Sequence, residues 1–135
     1  MKAVYDTNIF ISALTLPGGS AEAALAAAAE GGVQLIISKP LIHEVLDVLA
    51  RKFSRESEEL ARVAVFLADL GQLVEPKSRL NVLRDEPDNR ILECAHAGRS
   101  DAIVTGDKAM LALGEYRGIP IMTLREFLTS IGDVA

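Results

Sequence analysis

The feature that most constrains this chain is alternation. Short apolar runs rich in β-branched residues take turns with segments of helical periodicity along its whole length. Segments 2–5, 33–37, 72–74, 102–104 and 119–122 read as strands. Between them, 9–14, an alanine-rich stretch from Ser20 to Gly31, 39–53, 56–70, 88–97 and 108–113 read as helices. Ser20 is expected to cap the second of these, and Thr123 a closing one. Strand and helix in strict turn call for a mostly parallel sheet covered on both faces. The expected class is α/β, with no repeat, no long linker and no second domain.

Composition narrows the reading. A chain of 135 residues, half of them apolar, buries a core and is not disordered. No apolar run approaches the roughly 20 residues of a membrane span, and Asp6 arrives too early for a signal peptide. Cys94 is the single cysteine, so neither a disulfide framework nor a thiolate zinc site is available. A cytoplasmic protein without membrane attachment is expected. The net charge of −5 runs against nucleic-acid binding, which favours a basic balance.

Four acidic positions carry the chemistry. Asp6 follows Val4-Tyr5 and Asp107 follows Ile103-Val104-Thr105-Gly106, so both fall beyond the carboxyl ends of strands, where open parallel sheets hold ligands. Either alone serves equally well as a helix cap; two at matching positions favour a site. Glu44 has Leu41 and Val48 as its row neighbours on a helix, which sets a carboxylate beside the buried stripe and in need of a cation. Asp47, three residues on, shares its row with Arg51 and reads as a surface ion pair. In Asp85-Glu86-Pro87-Asp88-Asn89, Asp88 either caps the next helix or sits in its first turn. It is the acid best placed to point inward, while Asp85 and Glu86 read as solvated.

These segments together resemble the PIN-domain family, in particular the single-domain, VapC-like toxin components of toxin–antitoxin pairs. The resemblance spans nearly the whole chain and rests on four motifs in order. They are Asp6-Thr7-Asn8-Ile9-Phe10, Leu41-Ile42-His43-Glu44-Val45-Leu46, Asp85-Glu86-Pro87-Asp88-Asn89-Arg90 and Asp101-Ala102-Ile103-Val104-Thr105-Gly106-Asp107. It implies a PIN-like three-layer α/β/α sandwich and metal-dependent ribonuclease chemistry, with Asp6, Glu44, Asp88 and Asp107 as the acidic quartet around Mg2+ or Mn2+. Oxygen ligands suit those ions, and a bound ion activates water and neutralises charge developing on phosphate. On this reading Asp6 and Asp107 are direct ligands, Asp88 a ligand or water holder, and Glu44 orients the attacking water or serves a second ion. Asn8 and Thr105 are the expected supporting groups. The implied partners are an RNA substrate and a cognate antitoxin. The alternatives are a housekeeping RNA-processing nuclease and a catalytically silent binding module.

Setting the four acids aside takes the charge balance from −5 to −1, which eases the conflict with an RNA substrate. Lys39, Arg84, Arg90 and Lys108 lie near the acidic motifs and are candidates to steer phosphate, though each is equally a solvated surface charge. His43 and His96 are not spaced as a metal pair, and Cys94 sits among apolar neighbours as a core thiol. The run 21–29 is expected to pack closely and offers a homodimer face. A phosphoacceptor receiver domain needs an acidic pair after its first strand and a lysine ending its last, where Thr7 and Met122 stand. An Asp-x-Asp phosphatase fails at Asn8.

Overall fold

The computed structural model describes residues 1–132. The elements run β1 (Lys2–Tyr5), α1 (Thr7–Thr15), α2 (Ser20–Ala29), β2 (Gln34–Ile37), α3 (Lys39–Phe53), α4 (Ser57–Leu70) and β3 (Gln72–Leu73). There follow α5 (Glu86–Ala97), β4 (Ala102–Val104), α6 (Lys108–Leu113), β5 (Glu115–Tyr116), β6 (Ile119–Met122) and α7 (Leu124–Ser130). The strands form one sheet in the order β3-β2-β1-β4-β6-β5, parallel throughout except for the β5–β6 pair.

Successive strand residues point to opposite faces, so a strand buried at every position must be covered on both. Ala3, Val4 and Tyr5 of β1, Leu35, Ile36 and Ile37 of β2, and all of β4 meet that condition. The expected α/β/α layering is therefore present. Further out the pattern changes: in β6, Ile119 and Ile121 are buried while Pro120 between them is exposed. The aromatic centre is Tyr5, whose ring packs on Phe10 and Phe127 with centroids 5.8 and 5.7 Å away. Its hydroxyl donates to the Ala24 carbonyl at 2.8 Å, and burial holds the phenol in its neutral form.

Local chemistry explains where elements start, and where expectation missed. No loop follows β1: Asp6 itself caps α1, accepting the Asn8 backbone N–H at 3.3 Å. Ser20 does not cap α2, because it is already helical and Gly19 holds the extended cap position. The start of α5 lies at Glu86 rather than Asp88, with Asp85 at the cap and Pro87 in the first turn, where no N–H is required. Thr123 does cap α7, in a reciprocal box with Glu126. The short β5 was not expected. It joins β6 through Arg117-Gly118, both with positive φ (51° and 84°), the backbone of a two-residue hairpin turn.

One side of the alanine run packs inside the chain, with Ala21, Ala24, Leu25 and Ala28 buried, while Ala26 and Ala29 on the other side are exposed. At the far end of α5, a Cβ on Gly98 would come within 2.3 Å of Ile36 Cγ2, so only glycine lets this helix end sit down on β2. Among the described residues no single helix is long and apolar enough to cross a membrane.

Candidate active site at the switch point of the sheet

From β1 the sheet grows outward through β2 to β3, and the chain then returns to place β4 on the other side of β1. Ligands in open parallel sheets sit at such a reversal, beyond the strands' carboxyl ends. Tyr5 pairs with Val104, so Asp6 and Thr105 leave the sheet side by side, and the Asp6 N–H still bonds the Val104 carbonyl at 2.9 Å.

The Thr105 hydroxyl ties the two strand ends together. It donates to Asp6 Oδ2 at 2.5 Å and accepts the Asp107 N–H at 3.0 Å. The hydroxyl thus spends its one proton on Asp6 and a lone pair on the Asp107 N–H. The other Asp6 oxygen receives the Thr7 hydroxyl and the Asn8 N–H, both at 3.3 Å. Asn8 thus meets Asp6 through its backbone, and the residue itself is exposed. Asp107 caps α6, accepting the Met110 N–H at 2.9 Å through Oδ2.

Asp88 enters from the first turn of α5, 6 % exposed. Its carboxyl is pushed up to about 7, first by burial and then by the negative charges of Asp107, Asp6 and Asp85, with a hydrogen bond to Asp107 adding to the rise. Its Oδ2 is buried without a partner. Asp6, Asp88 and Asp107 therefore lie within each other's fields, and Asp85, expected to be solvated, contributes to that field.

Glu44 comes from α3. It is half-buried, as its row neighbours require, and lines a depression of about 200 Å³ with Arg79, Glu86, Pro87 and Arg90. It is absent from the charges that raise Asp88. Asp47 pairs with Arg51 at 2.8 Å on the open side of α3. Arg90 is not free to steer phosphate: one nitrogen bonds Glu93 and the Leu80 carbonyl, each at 2.9 Å, and another reaches Glu86 at 3.3 Å.

Among the described residues, no three His, Cys, Asp or Glu side chains converge closely enough to cage a metal by themselves. A divalent ion nevertheless fits the donor set. Asp88 presents a buried oxygen with no donor, beside two more carboxylates, and magnesium needs only one or two protein carboxylates because it keeps several waters.

One support was not anticipated. Asn89, fully buried, accepts the N–H groups of Val82 and Leu83 at 2.9 and 2.7 Å and donates to the Leu83 carbonyl at 2.8 Å. Glu93, 6 % exposed, accepts the Leu80 N–H at 2.5 Å. The two pin the loop before α5 and so fix where Asp85 and Asp88 enter. Two polar side chains on the buried side of an otherwise apolar helix were the available signal.

A parallel sheet with acids gathered at its reversal defines an α/β domain with a carboxylate site. The chain belongs to the PIN domain family, whose model matches residues 2–109. It is 29 % identical over 117 residues to the uncharacterized protein MJ1680 of Methanocaldococcus jannaschii, covering 84 % of this chain and 75 % of that protein. Among solved structures it superposes on a chain of VapBC2 from Rickettsia felis, bound to a DNA fragment from its promoter. The TM-score is 0.64 at 14 % identity, over 91 % of this chain and 98 % of that one, a likeness of fold.

Proposed function

We propose that this protein is a metal-dependent endoribonuclease and the toxin component of a toxin–antitoxin pair. PIN domains are generally nucleases, which supports hydrolysis of phosphodiester bonds. The observation that carries the reading is the buried, partnerless oxygen of Asp88 beside Asp6 and Asp107, an arrangement that costs stability unless a cation neutralises it. The likeness to a VapBC2 chain supports a protein antitoxin as partner.

Asp6, Asp88 and Asp107 would hold Mg2+ or Mn2+. When bound, the ion supplies an acidified water and a countercharge for the scissile phosphate. Thr105 keeps Asp6 an acceptor by pointing its only proton at it, and through the Asp107 N–H fixes the spacing of the two strand ends. Asn8 holds Asp6 through its N–H. We assign Glu44, on the adjoining depression, to orienting the attacking water or a second ion.

The test is cleavage of labelled RNA with magnesium or manganese, beside an Asp6→Asn control. Activity should need the ion and fall at least about 100-fold in the control, since loss of a group that merely supports a metal ligand costs 10–100-fold. Attack by water leaves 5′-phosphate and 3′-hydroxyl ends. A cyclic phosphate in the mass spectrum would sink the mechanism and leave the fold untouched.

A further inference from the structure

A cavity of about 660 Å³ lies at the other end of α5 from the carboxylates. Ser100 and Gly118, which precede β4 and β6, place it at the amino ends of the strands, while Asp6 and Asp107 follow their carboxyl ends. Asp88 and His96 are eight residues apart on α5, so the two regions are separated by roughly 12 Å along the helix.

The lining is basic in a protein of net charge −5: Lys77, Arg99 and Arg117 face it, against one uncommitted acid, Glu75. Glu93 also borders it but is matched by Arg90 at 2.9 Å. Ser100 is 6 % exposed, and its buried hydroxyl has no partner. Among the described residues, three other than glycine have positive φ, and two of them are Arg99 and Arg117, each at 51°. Arg99 follows the Gly98 cap of α5, and Arg117 opens the β5–β6 turn; glycine or asparagine suits both positions better. The backbone thus accepts strain where the cavity gains a guanidinium. Arg117 is further held over the Tyr116 ring, 5.4 Å from its centroid, and against His96 Nε2 at 3.0 Å; arginine can only donate, so His96 accepts. The carboxyl end of α5 carries a partial negative charge that opposes an anion, and three full side-chain cations stand against it.

We propose that this cavity binds the phosphate group of a nucleotide, gripped by Arg99 and Arg117, with Lys77 at the rim and the Ser100 hydroxyl as a further donor. The site stands independently of the nuclease reading, because it uses none of the acidic residues.

The test is an amide NMR titration of the full chain with AMP, in chelator so that no metal is bound. AMP should shift amides at 96–100 and 117–119, and adenosine, which lacks the phosphate, should not. The double variant Arg99→Asn with Arg117→Asn removes both charges and gives each backbone position a residue that tolerates it, so its melting temperature should hold or rise. AMP affinity should fall at least about tenfold, the loss expected when charge-assisted bonds to phosphate are removed. Equal binding by adenosine, shifts confined to the Asp6 and Asp107 region, or undiminished AMP binding by the folded double variant would each overturn the proposal. A six-nucleotide RNA distinguishes the phosphate's source. Tighter binding than AMP, lost in the double variant, identifies a strand; binding no tighter than AMP identifies a free nucleotide; either supports the site. Ser100→Ala should weaken AMP binding by a smaller factor without moving the other shifts.

Discussion

The two ends of α5 are built on opposite principles. At its start, buried acids crowd together with one carboxylate oxygen unsatisfied, and local repulsion is tolerated. At its end, arginines occupy backbone positions that suit glycine, and local strain is tolerated. The middle of the same helix is mainly apolar packing around one matched pair, Arg90 with Glu93, whose Arg90 Nε is buried without a partner. Ile91, Leu92, Cys94 and Ala95 are buried, and the Cys94 thiol is pushed up to about 12, first by burial, so it stays protonated and inert. Stability is conceded at two places along one helix, and those are where chemistry with ligands is expected.

The largest effect should come from the residue that serves both ends. The loop pinned by Asn89 carries Lys77 at the cavity and leads to Asp85 at the acid cluster. Asn89→Ala strands two backbone N–H groups and a carbonyl, and should cost about 3 kcal/mol in a urea melt, since each buried polar group left alone costs roughly 1–3. A loss below 1 kcal/mol would mean that loop is held by its apolar contacts alone.

The next comparison stays at the acid end and sets Glu44 against Asp47. Glu44→Gln should lower cleavage about tenfold with the fold intact, the scale for groups that support a metal site. Asp47→Asn removes an exposed i,i+4 ion pair, should cost at most about 0.5 kcal/mol, and should leave cleavage unchanged. If only Asp6, Asp88 and Asp107 do the work, Glu44→Gln will cleave as well as the wild type, and the quartet reduces to a trio.

A further effect is on pH dependence. The Asp88 carboxyl is raised on folding from an ordinary 3.8 to about 7, so the folded chain favours its protonated form. That contribution to stability is complete below about pH 4 and is lost as pH climbs through 7. In chelator the melting temperature should therefore fall across that window, on top of the chain's other titrations, and Asp88→Asn should remove that component. Millimolar magnesium should raise the melting temperature at pH 7.5. No response to magnesium or manganese would count against a metal between these carboxylates.

Much of this was readable beforehand, for identifiable reasons. Strands buried on both faces leave uninterrupted apolar runs, so β1, β2 and β4 stood out, and Asp6 and Asp107 followed from where those runs stop. The side of α3 that buries Glu44 and exposes Asp47 came from its row neighbours. Hidden from view were features set by partners distant in sequence. Two-residue β5 exists only because β6 lies beside it, and Asn89 is explained only by a loop folded over it. Arg90 pairs with Glu86 and Glu93 at helical spacing, which was readable, whereas its bond to the Leu80 carbonyl was not. The resemblance to the PIN family gave Glu44 a role distinct from the three aspartates, and in the structure it lines a depression shared with Glu86 and Pro87 of the α5 start.

The bond between Asp6 and Thr105 joins residues 99 positions apart. During synthesis, β1 and α1 emerge early and β2 can pair with β1, but the second wall of the site does not exist until β4 has been made. At roughly 5–20 residues per second, the chain spends several seconds with Asp6 held only by Thr7 and Asn8 and not yet by Thr105. A translation product stopped anywhere short of β4 carries most of the core's helices and none of the assembled carboxylate site. The order of residues thus defers whatever activity the site possesses to the nearly finished molecule.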